Sequence, residues 1–472
     1  MQLRKEFLRI PAILAMALAL AGCQSPTDAG NGQETATHTV TLNFYPGRTE
    51  TRAMAHGQTF TPPVPQMSGL FPAPLPQSPA FLGWRMGDAT FDPAVPVTSN
   101  ITLDARWDET AATAIDLGGV AGNTVIHRAF AYLNAAPAGT CYILALGGDL
   151  RVGGGALVLG ADIALRGHDD NDAPVVKVPA GGTLVMRAGS AIRGNATSDG
   201  PFGGGVTVHG TFIMEGGAIH DNSSAGWWGG GGVFVLDGTF TMQGGAIHGN
   251  SSARGGGVSV HNGTFTMEGG AIHDNSSAWD SGGVSINSGG TFIMKDGAIH
   301  GNSAARGGGV NVFIGTFIME GGTIHDNYTV AEEGWGGGGV FLNVGTLTMR
   351  GGAIHGNSAA RGGGVDVFNG TFIMESGIIH GNSAEMGGGV NVGFDRTFQI
   401  SNGVIYGTDA GAGLANTATQ GGGALNGAAQ RGTFDNGTFT PTPNAPNLTQ
   451  TNYTIRVQNG QLVDADGNVI TP

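Results

Sequence analysis

The chain has 472 residues, of which 88 are glycine and only 12% are charged, and its formal net charge is -14. Apolar residues make up 40% of the chain and alternate with polar ones, which excludes collagen and low-complexity disorder. No cluster of lysine and arginine lies beyond the first ten residues, so we expect no nucleic-acid partner.

The first 23 residues have the features of an export signal. A basic stretch at residues 4–9 precedes an apolar run over residues 10–20, and the run ends in Leu-Ala-Gly-Cys23. This ending resembles the bacterial lipobox, which implies that Cys23 becomes lipidated and anchors the protein at the outer membrane or cell surface. An ordinary signal peptide with an incidental cysteine is the alternative. Residues 24–37 are small and polar and predict a flexible tether.

Residues 38–108 predict a small β-rich module, followed by a connector at residues 109–122. Short alternating strands flank a proline-rich middle, and the phrases Phe-Leu-Gly-Trp84 and Asn-Ile-Thr-Leu103 are its landmarks. These phrases resemble the Listeria–Bacteroides repeat, also called the internalin B-repeat. The resemblance implies a module typical of bacterial surface proteins.

Apolar residues at helical spacing predict one amphipathic helix at residues 123–137. The phrase Ala-Ala-Pro-Ala-Gly-Thr140 and an apolar strand follow, and Cys141 in that strand reads as a buried small hydrophobe. This order resembles the entry into right-handed parallel β-helices of the pectate-lyase-like group. The resemblance implies that the helix covers the first turn of a β-helix.

The dominant pattern is a phrase of the form Thr-Phe-x-Met, which restarts every 25 to 30 residues. Each phrase leads into Gly-Gly-Ala-Ile-His, an Asn, and a glycine-rich stretch that ends in Val-x-Val. The nine phrases begin at Thr183, Thr211, Thr239, Thr264, Thr291, Thr316, Thr346, Thr371 and Thr397. A fixed period of this size indicates a solenoid.

The predicted fold is all-β, a right-handed parallel β-helix over residues 123–440. We expect three strands per turn and about nine or more turns, capped by the N-terminal helix and closed by a hairpin at residues 441–472. Alternation predicts that Phe212 and Met214 of the first strand and Val206 and Val208 of the third strand face the interior of the β-helix. The residue between the two valines is predicted to face solvent. The Gly-Gly-Ala-Ile and Phe-x-Met elements also resemble the repeats of polymorphic outer-membrane proteins, a family of surface β-helix adhesins.

One position holds histidine in seven consecutive turns. These residues are His220, His248, His273, His300, His325, His355 and His380, with Arg193 before them and Tyr406 after them. One interpretation is a strip that binds metal or senses pH, because imidazoles on adjacent turns lie close together. The other is a stacked surface ladder copied with the repeat, which the flanking Arg and Tyr favour because they also stack.

A second column holds asparagine after each histidine strand. Its members are Asn195, Asn222, Asn250, Asn275, Asn302, Asn327, Asn357 and Asn382. This pattern predicts an internal amide ladder that satisfies backbone groups at the corner of each turn.

The loop before each Val-x-Val strand departs from the repeat. Its tryptophan and arginine residues are Trp227, Trp228, Arg254, Trp279, Arg306, Trp335 and Arg361, which we call the Trp/Arg edge. Exposed Trp and Arg are enriched in recognition surfaces. The alternative is that each Trp covers only its own turn.

We predict a membrane-anchored, surface-exposed β-helix lipoprotein that acts as an adhesin or binding scaffold for a host protein or glycan, as a monomer without cofactor or metal. No two carboxylates recur beside a basic residue on an outward strand, so an enzyme is not predicted. A polysaccharide lyase or hydrolase of the pectate-lyase-like group and a spacer that binds nothing are the alternatives.

Overall fold

A computed structural model describes most of the chain from residue 37 onward. The described residues are 37–45, 48–62, 80–86, 89–108, 142–146, 150–152, 155–160, 163–167, 171–198, 203–226, 229–330, 336–435 and 437–470. The predicted lipidation site Cys23, the connector 109–122, the predicted helix 123–137 and Cys141 lie outside these residues. The described part is all-β, and none of its secondary structure is a helix of the length and apolarity needed to cross a membrane.

The N-terminal residues form a five-stranded mixed sheet. In spatial order its strands are Arg48–Ala55, Thr37–Tyr45, Ile101–Asp108, Ala80–Met86 and Ala89–Thr90. The two edge pairs are antiparallel, whereas Thr37–Tyr45 runs parallel to Ile101–Asp108. Val40, Leu42 and Leu103 are fully buried together with Trp84, so the sheet has a small apolar core of its own.

Residues 156–431 form a β-solenoid of about 10 turns, which confirms the predicted parallel β-helix. We call each turn a rung. Strands of successive rungs pair in parallel and build four sheets, which we name after their recurring residues the Phe–Met, Ile–His, Ser and Val sheets.

The Phe–Met sheet has twelve strands and the Ile–His sheet has thirteen. The strands of the Phe–Met sheet are Gly155–Leu159, Gly182–Met186, Thr211–Met214, Thr239–Met242, Thr264–Met267, Gly290–Met294, Gly315–Met319, Thr346–Met349, Thr371–Met374, Thr397–Ile400, Gln430–Asp435 and Thr438–Pro441. The strands of the Ile–His sheet are Tyr142–Leu146, Ile163–Gly167, Ala191–Arg193, Ala218–His220, Ala246–His248, Ala271–His273, Ala298–His300, Thr323–His325, Ala353–His355, Ile378–His380, Gly403–Ile405, Ile455–Gln458 and Gln461–Leu462.

The Ser sheet has nine short strands and the Val sheet has eleven. The strands of the Ser sheet are Ala196–Thr197, Ser223–Ser224, Ser251–Ser252, Ser276–Ser277, Ser303–Ala304, Tyr328–Thr329, Ser358–Arg361, Ser383–Met386 and Thr417–Ala418. The strands of the Val sheet are Leu150–Arg151, Val176–Val178, Val206–Val208, Val233–Leu236, Val258–His261, Val284–Asn287, Val310–Val312, Val340–Leu342, Val365–Val367, Val390–Val392 and Leu425–Asn426.

The Ser sheet was missing from the sequence prediction, so a typical rung carries four strands and not three. Most Ser strands have only two residues, which is too short for an apolar alternation to reveal. In four successive rungs the second residue of the strand, Ser224, Ser252, Ser277 or Ala304, is buried.

The predicted inward columns are confirmed. The side chains of Phe292, Met294, Ile299 and Val310 are fully buried, and the same columns are buried in every neighbouring rung. Adjacent phenylalanine rings stack nearly parallel, with centroids 4.7 Å apart between Phe265 and Phe292. The strand spacing of the sheet therefore also sets the ring spacing of the core.

The asparagine ladder is also confirmed, and its bonds repeat from rung to rung. Asn302 accepts hydrogen bonds at Oδ1 from both the backbone N and the Nδ2 of Asn275, each at 3.0 Å. Its own Nδ2 donates to the carbonyl oxygens of Ile272 at 2.9 Å and His300 at 3.0 Å, and to Asn327 Oδ1 at 2.9 Å. The buried amide thus joins three successive rungs.

The prediction that the residue between the two valines faces solvent is wrong. Ser259, Ser285, Asn311 and Asp366 occupy this position and are 0 to 1% exposed. The glycine-rich loop folds back over the outer face of the Val sheet, and a Cβ added at Gly307 would lie 2.7 Å from the carbonyl oxygen of Val310. Only glycine permits this approach, so the glycine run gives the Val sheet a second buried face.

Two antiparallel hairpins close the C-terminal end. Gln430–Asp435 and Thr438–Pro441 extend the Phe–Met sheet, a feature that the sequence analysis missed. The predicted hairpin around Asn459 and Gly460 is present, and its first strand pairs antiparallel with Gly403–Ile405. Ile455 and Val457 of this hairpin belong to the core of the solenoid, so the hairpin covers the end of the apolar column.

Candidate functional site: the loop edge and the histidine ladder

Arg254, Trp279 and Arg306 of the Trp/Arg edge lie between the Ser and Val sheets, and Arg361 ends a strand of the Ser sheet. Trp227, Trp228 and Trp335 lie outside the described residues. Trp279 is described, and its backbone N–H donates to the carbonyl oxygen of Ala253 at 3.0 Å. This bond places Trp279 one rung after Arg254, and Arg306 follows on the next rung.

The structure gives the arginines of this edge a role that the sequence analysis did not predict. Asp280 is only 5% exposed, and its Oδ2 lies 3.4 Å from Arg254 Nη1. Burial raises the pKa of Asp280, while the positive charges of Arg254 and Arg306 act in the opposite direction. Arg254 therefore neutralises a buried carboxylate as well as lining the edge, because a buried charge without a partner is costly.

A second buried carboxylate follows the same pattern. Asp366, in the Val sheet, accepts a 2.7 Å hydrogen bond from Asn391 Nδ2. Burial raises the pKa of Asp366 to about 6, although the hydrogen bond from Asn391 and the charge of Arg361 lower it. Arg361 thus also acts on a carboxylate inside the protein.

Three apolar side chains of this region stay exposed. Trp279 is 53% exposed, Tyr328 45% and Val330 59%, whereas the solenoid interior is fully buried. Trp279 follows the strand that contains Ser276. Ser276 pairs with Ser303 on the next rung, and Ser303 pairs with Tyr328 on the rung after that. Arg306, on the same rung as Ser303, is exposed. Trp279, Arg306 and Tyr328 are therefore exposed on three consecutive rungs, with Tyr328 in the Ser strand and the other two in the loop that follows that strand. Tyr328 and Val330 were not among the predicted residues because they precede the loop that departs from the repeat.

The seven histidines form one continuous stack. Ring centroids of neighbours lie 4.8 to 4.9 Å apart and the rings are within 11° of parallel. Tyr406 does not continue the stack, since it meets His380 edge-on at 83° and 6.2 Å. Lone pairs on parallel rings point the same way and do not converge on one ion. This geometry favours the stacked ladder over the metal strip.

The residue after each histidine adds an alternation that the sequence analysis overlooked. Asp221, Asp274 and Asp326 hold it in alternate rungs, and each Oδ2 lies 2.7 to 2.8 Å from Nδ1 of its own histidine. Glycine holds it in the rungs between them. A Cβ added at Gly301 would lie 2.6 Å from Oδ1 of Asp274, so a glycine in one rung leaves room for the aspartate of the rung before it.

This alternation defines a unit of two rungs. The loops that contain Trp227, Trp279 and Trp335 follow His-Asp rungs, and the loops that contain Arg254 and Arg306 follow His-Gly rungs. The alternation of Asp and Gly beside the histidines therefore coincides, rung by rung, with the alternation of Trp and Arg in the loops. Both features repeat at about 10 Å, which is two strand spacings.

No family model, curated protein or solved structure matches the chain. The geometry of the Trp/Arg edge and of the histidine ladder is thus the basis for assigning a function. The edge carries exposed apolar side chains beside a cation, whereas the ladder is a regular stack held by its own neighbours.

Burial lowers the pKa of His248, His300 and His355, which makes the fold sensitive to acid. Burial, followed by the charges of His220 and His273, lowers the pKa of His248 to about 4, below the ordinary 6.5. The unfolded chain therefore takes up a proton first, so stability is complete above pH 6.5 and falls between pH 6.5 and 4. With allowance for the partial solvent exposure of this ring, we expect a loss of about 1 to 2 kcal/mol from this group.

Urea unfolding at pH 7 and at pH 4.5 measures this loss. The variant His248→Phe retains a planar ring for the stack and removes the titrating group, so its stability should fall less over this interval. Identical pH profiles of the two proteins would contradict the assignment.

Proposed function

We propose that the protein is a lipid-anchored surface β-helix that binds a host glycan or protein through its Trp/Arg edge. The observation that supports this most is the exposure of Trp279, Tyr328 and Val330 on the rungs on either side of the exposed Arg306. Exposed aromatic residues beside arginine are typical of recognition surfaces. The lipobox-like ending at Cys23 supports anchoring, and the B-repeat-like module at residues 38–108 supports a surface location.

The finer features of the fold belong to the same proposal. We expect the coil to be right-handed, since parallel strands joined by crossovers are almost always connected in that hand. The helix predicted at residues 123–137 would cover the first rung, because an uncovered end exposes apolar core and unpaired backbone groups. The chain then acts as a monomer whose one long side is available for a ligand.

The positions of the buried carboxylates favour a binder over a glycosidase. Asp280 precedes Val284–Asn287, and Asp366 lies in Val365–Val367, three strands further along the Val sheet. This separation is about 14 Å along the sheet, whereas paired catalytic carboxylates lie about 5 to 9.5 Å apart. Both side chains are also at most 5% exposed, so a substrate does not reach them.

Removal of the aromatic side chains from the edge tests the proposal. We expect the variant with alanine at Trp279 and Tyr328 to bind host cells or a glycan array at least about tenfold more weakly, a change of about 1.4 kcal/mol. Alanine at Trp227, Trp228 and Trp335 as well should abolish binding. The stability of the variant with alanine at Trp279 and Tyr328 should stay near that of the parent protein, because these two side chains are exposed and contribute little to packing.

Tyr453→Ala is the matched control. Tyr453 is an exposed aromatic residue, 72% exposed, that lies shortly before the C-terminal hairpin strand Ile455–Gln458. Its removal should leave binding unchanged. If the edge variant and the control bind equally well, the edge is not the binding surface. The alternative function, a spacer that binds nothing, is then favoured.

A further inference from the structure

The N-terminal sheet holds a pair of histidines that the proposed function does not use. Nε2 of His38 and Nδ1 of His56 lie 2.8 Å apart, and the centroids of the two rings are 5.1 Å apart. His56 is exposed and His38 is partly exposed, so both rings are reachable from solvent. Imidazole nitrogen is a common ligand of divalent transition metals. The pair is therefore a candidate metal site.

The backbone of the sheet brings the two histidines together. His38 pairs directly with Met54 of the antiparallel neighbouring strand. Opposite residues of such a pair share one face of the sheet, and so do residues two positions apart. His56 follows Met54 by two positions, and the next residue, Gly57, donates a 2.9 Å hydrogen bond to the carbonyl oxygen of Val97. Strand register and this turn therefore hold both side chains within reach of one ion.

The separation of the two nitrogens matches two adjacent ligands of one metal ion. Imidazole nitrogen binds zinc at about 2.0 to 2.1 Å, and two nitrogens at a right angle about an ion at that distance lie about 2.9 Å apart. A tetrahedral angle would place them about 3.3 Å apart. The observed 2.8 Å fits the right angle better. Right angles between ligands are typical of the tetragonal geometry of Cu²⁺ and Ni²⁺.

The pair differs from the histidine ladder in the direction of its rings. Rings of the ladder are within 11° of parallel, whereas those of His38 and His56 are tilted by 52°. Rotation of each ring about χ2, a torsion with a broad energy minimum, turns both lone pairs toward one ion. The ring that donates the hydrogen bond then takes its other tautomer, so its proton moves to the second ring nitrogen.

We propose that His38 and His56 bind one Cu²⁺ ion. Copper is the first-row divalent ion that nitrogen ligands bind most tightly. In the part of the chain that the structure describes, no third histidine, cysteine or carboxylate joins the pair. Water or a donor group of another molecule therefore completes the coordination. This site goes beyond the proposed binding function and shares no residue with the Trp/Arg edge, so the two are tested separately.

Titration of the full-length protein with Cu²⁺, by calorimetry and electron paramagnetic resonance, tests the inference. We expect one tight site and a tetragonal spectrum with splitting from two nitrogens. His38→Gln and His56→Gln should each weaken binding at least about tenfold, a change of about 1.4 kcal/mol, and leave a single nitrogen in the spectrum. Zn²⁺ should bind the parent protein more weakly than Cu²⁺.

His209→Gln is the control, because His209 is also a partly exposed histidine but belongs to the solenoid. It should bind copper as the parent protein does, and circular dichroism should show that every variant is folded. If the parent protein binds no Cu²⁺, or if His56→Gln binds it as tightly as the parent, the inference is wrong. Loss of copper from His273→Gln with the pair variants unchanged would place the ion on the histidine ladder and would also overturn it.

Discussion

Replacement of Asn302 by alanine is expected to lower the free energy of unfolding by about 3 to 5 kcal/mol, because it orphans several buried polar groups that each cost about 1 to 3 kcal/mol. The side chain of Asn302 accepts two hydrogen bonds from Asn275 and donates to Ile272, His300 and Asn327. Water does not replace these bonds, since the amide is fully buried. The alanine variant therefore leaves the backbone N–H of Asn275 without its partner.

Urea unfolding followed by circular dichroism measures the global loss, and hydrogen exchange locates it. Exchange should accelerate most in the rungs on either side of Asn302, because each rung contacts chiefly its neighbours. Asn369→Ala serves as the control, since Asn369 is exposed at a corner of the solenoid. A loss below about 1 kcal/mol for Asn302→Ala would show that the ladder contributes less than an ordinary buried amide.

Replacement of Phe292 by alanine is expected to cost about 3 to 5 kcal/mol, the range for a large aromatic side chain removed from a core. Its ring lies between those of Phe265 and Phe317, with centroids at 4.7 and 4.8 Å. Both neighbours are held by the ladder hydrogen bonds of their own strands, so they move little into the cavity. The cavity therefore remains and adds to the lost burial.

The chain supplies the control for this substitution. Leu347 occupies the same column, pairs with Phe317 and Phe372, and is fully buried. Phe292→Leu should therefore cost less than about 1.5 kcal/mol, as expected for a hydrophobic substitution that largely keeps the volume. Equal losses for the leucine and alanine variants would show that ring stacking, and not volume, stabilises the column.

For the histidine column, the sequence allowed two interpretations, and the geometry favours one of them. Seven histidines at one position are compatible with a metal site or with a stack. The parallel rings follow from the parallel register of the Ile–His sheet, which pairs His300 with His273 and leaves their rings 1° from parallel. The Asp and Gly residues that alternate beside them were visible in the sequence, but their meaning required the distance between Asp274 and Gly301.

The repeat pattern does not indicate which charged residues are buried. Asp366 occupies a position that the alternation assigns to solvent, and Asp280 lies in the loop before a Val strand, yet both are buried. Glycine lets the loop fold over the Val sheet because it has no Cβ, but a run of glycine is equally compatible with a flexible loop. The partnership of Arg254 with Asp280 follows from this burial and was therefore not predictable.

The sequence by itself determined the solenoid, its inward Phe, Met, Ile and Val columns and its asparagine ladder. These features are predictable because they repeat, and parallel pairing brings each repeat into contact with its own copy. Only the tertiary structure decided the fourth strand of each rung, the second buried face of the Val sheet and the exposure of Trp279, Arg306 and Tyr328 on consecutive rungs. These features depend on how the chain crosses from one sheet to the next, where non-repeating residues determine the path.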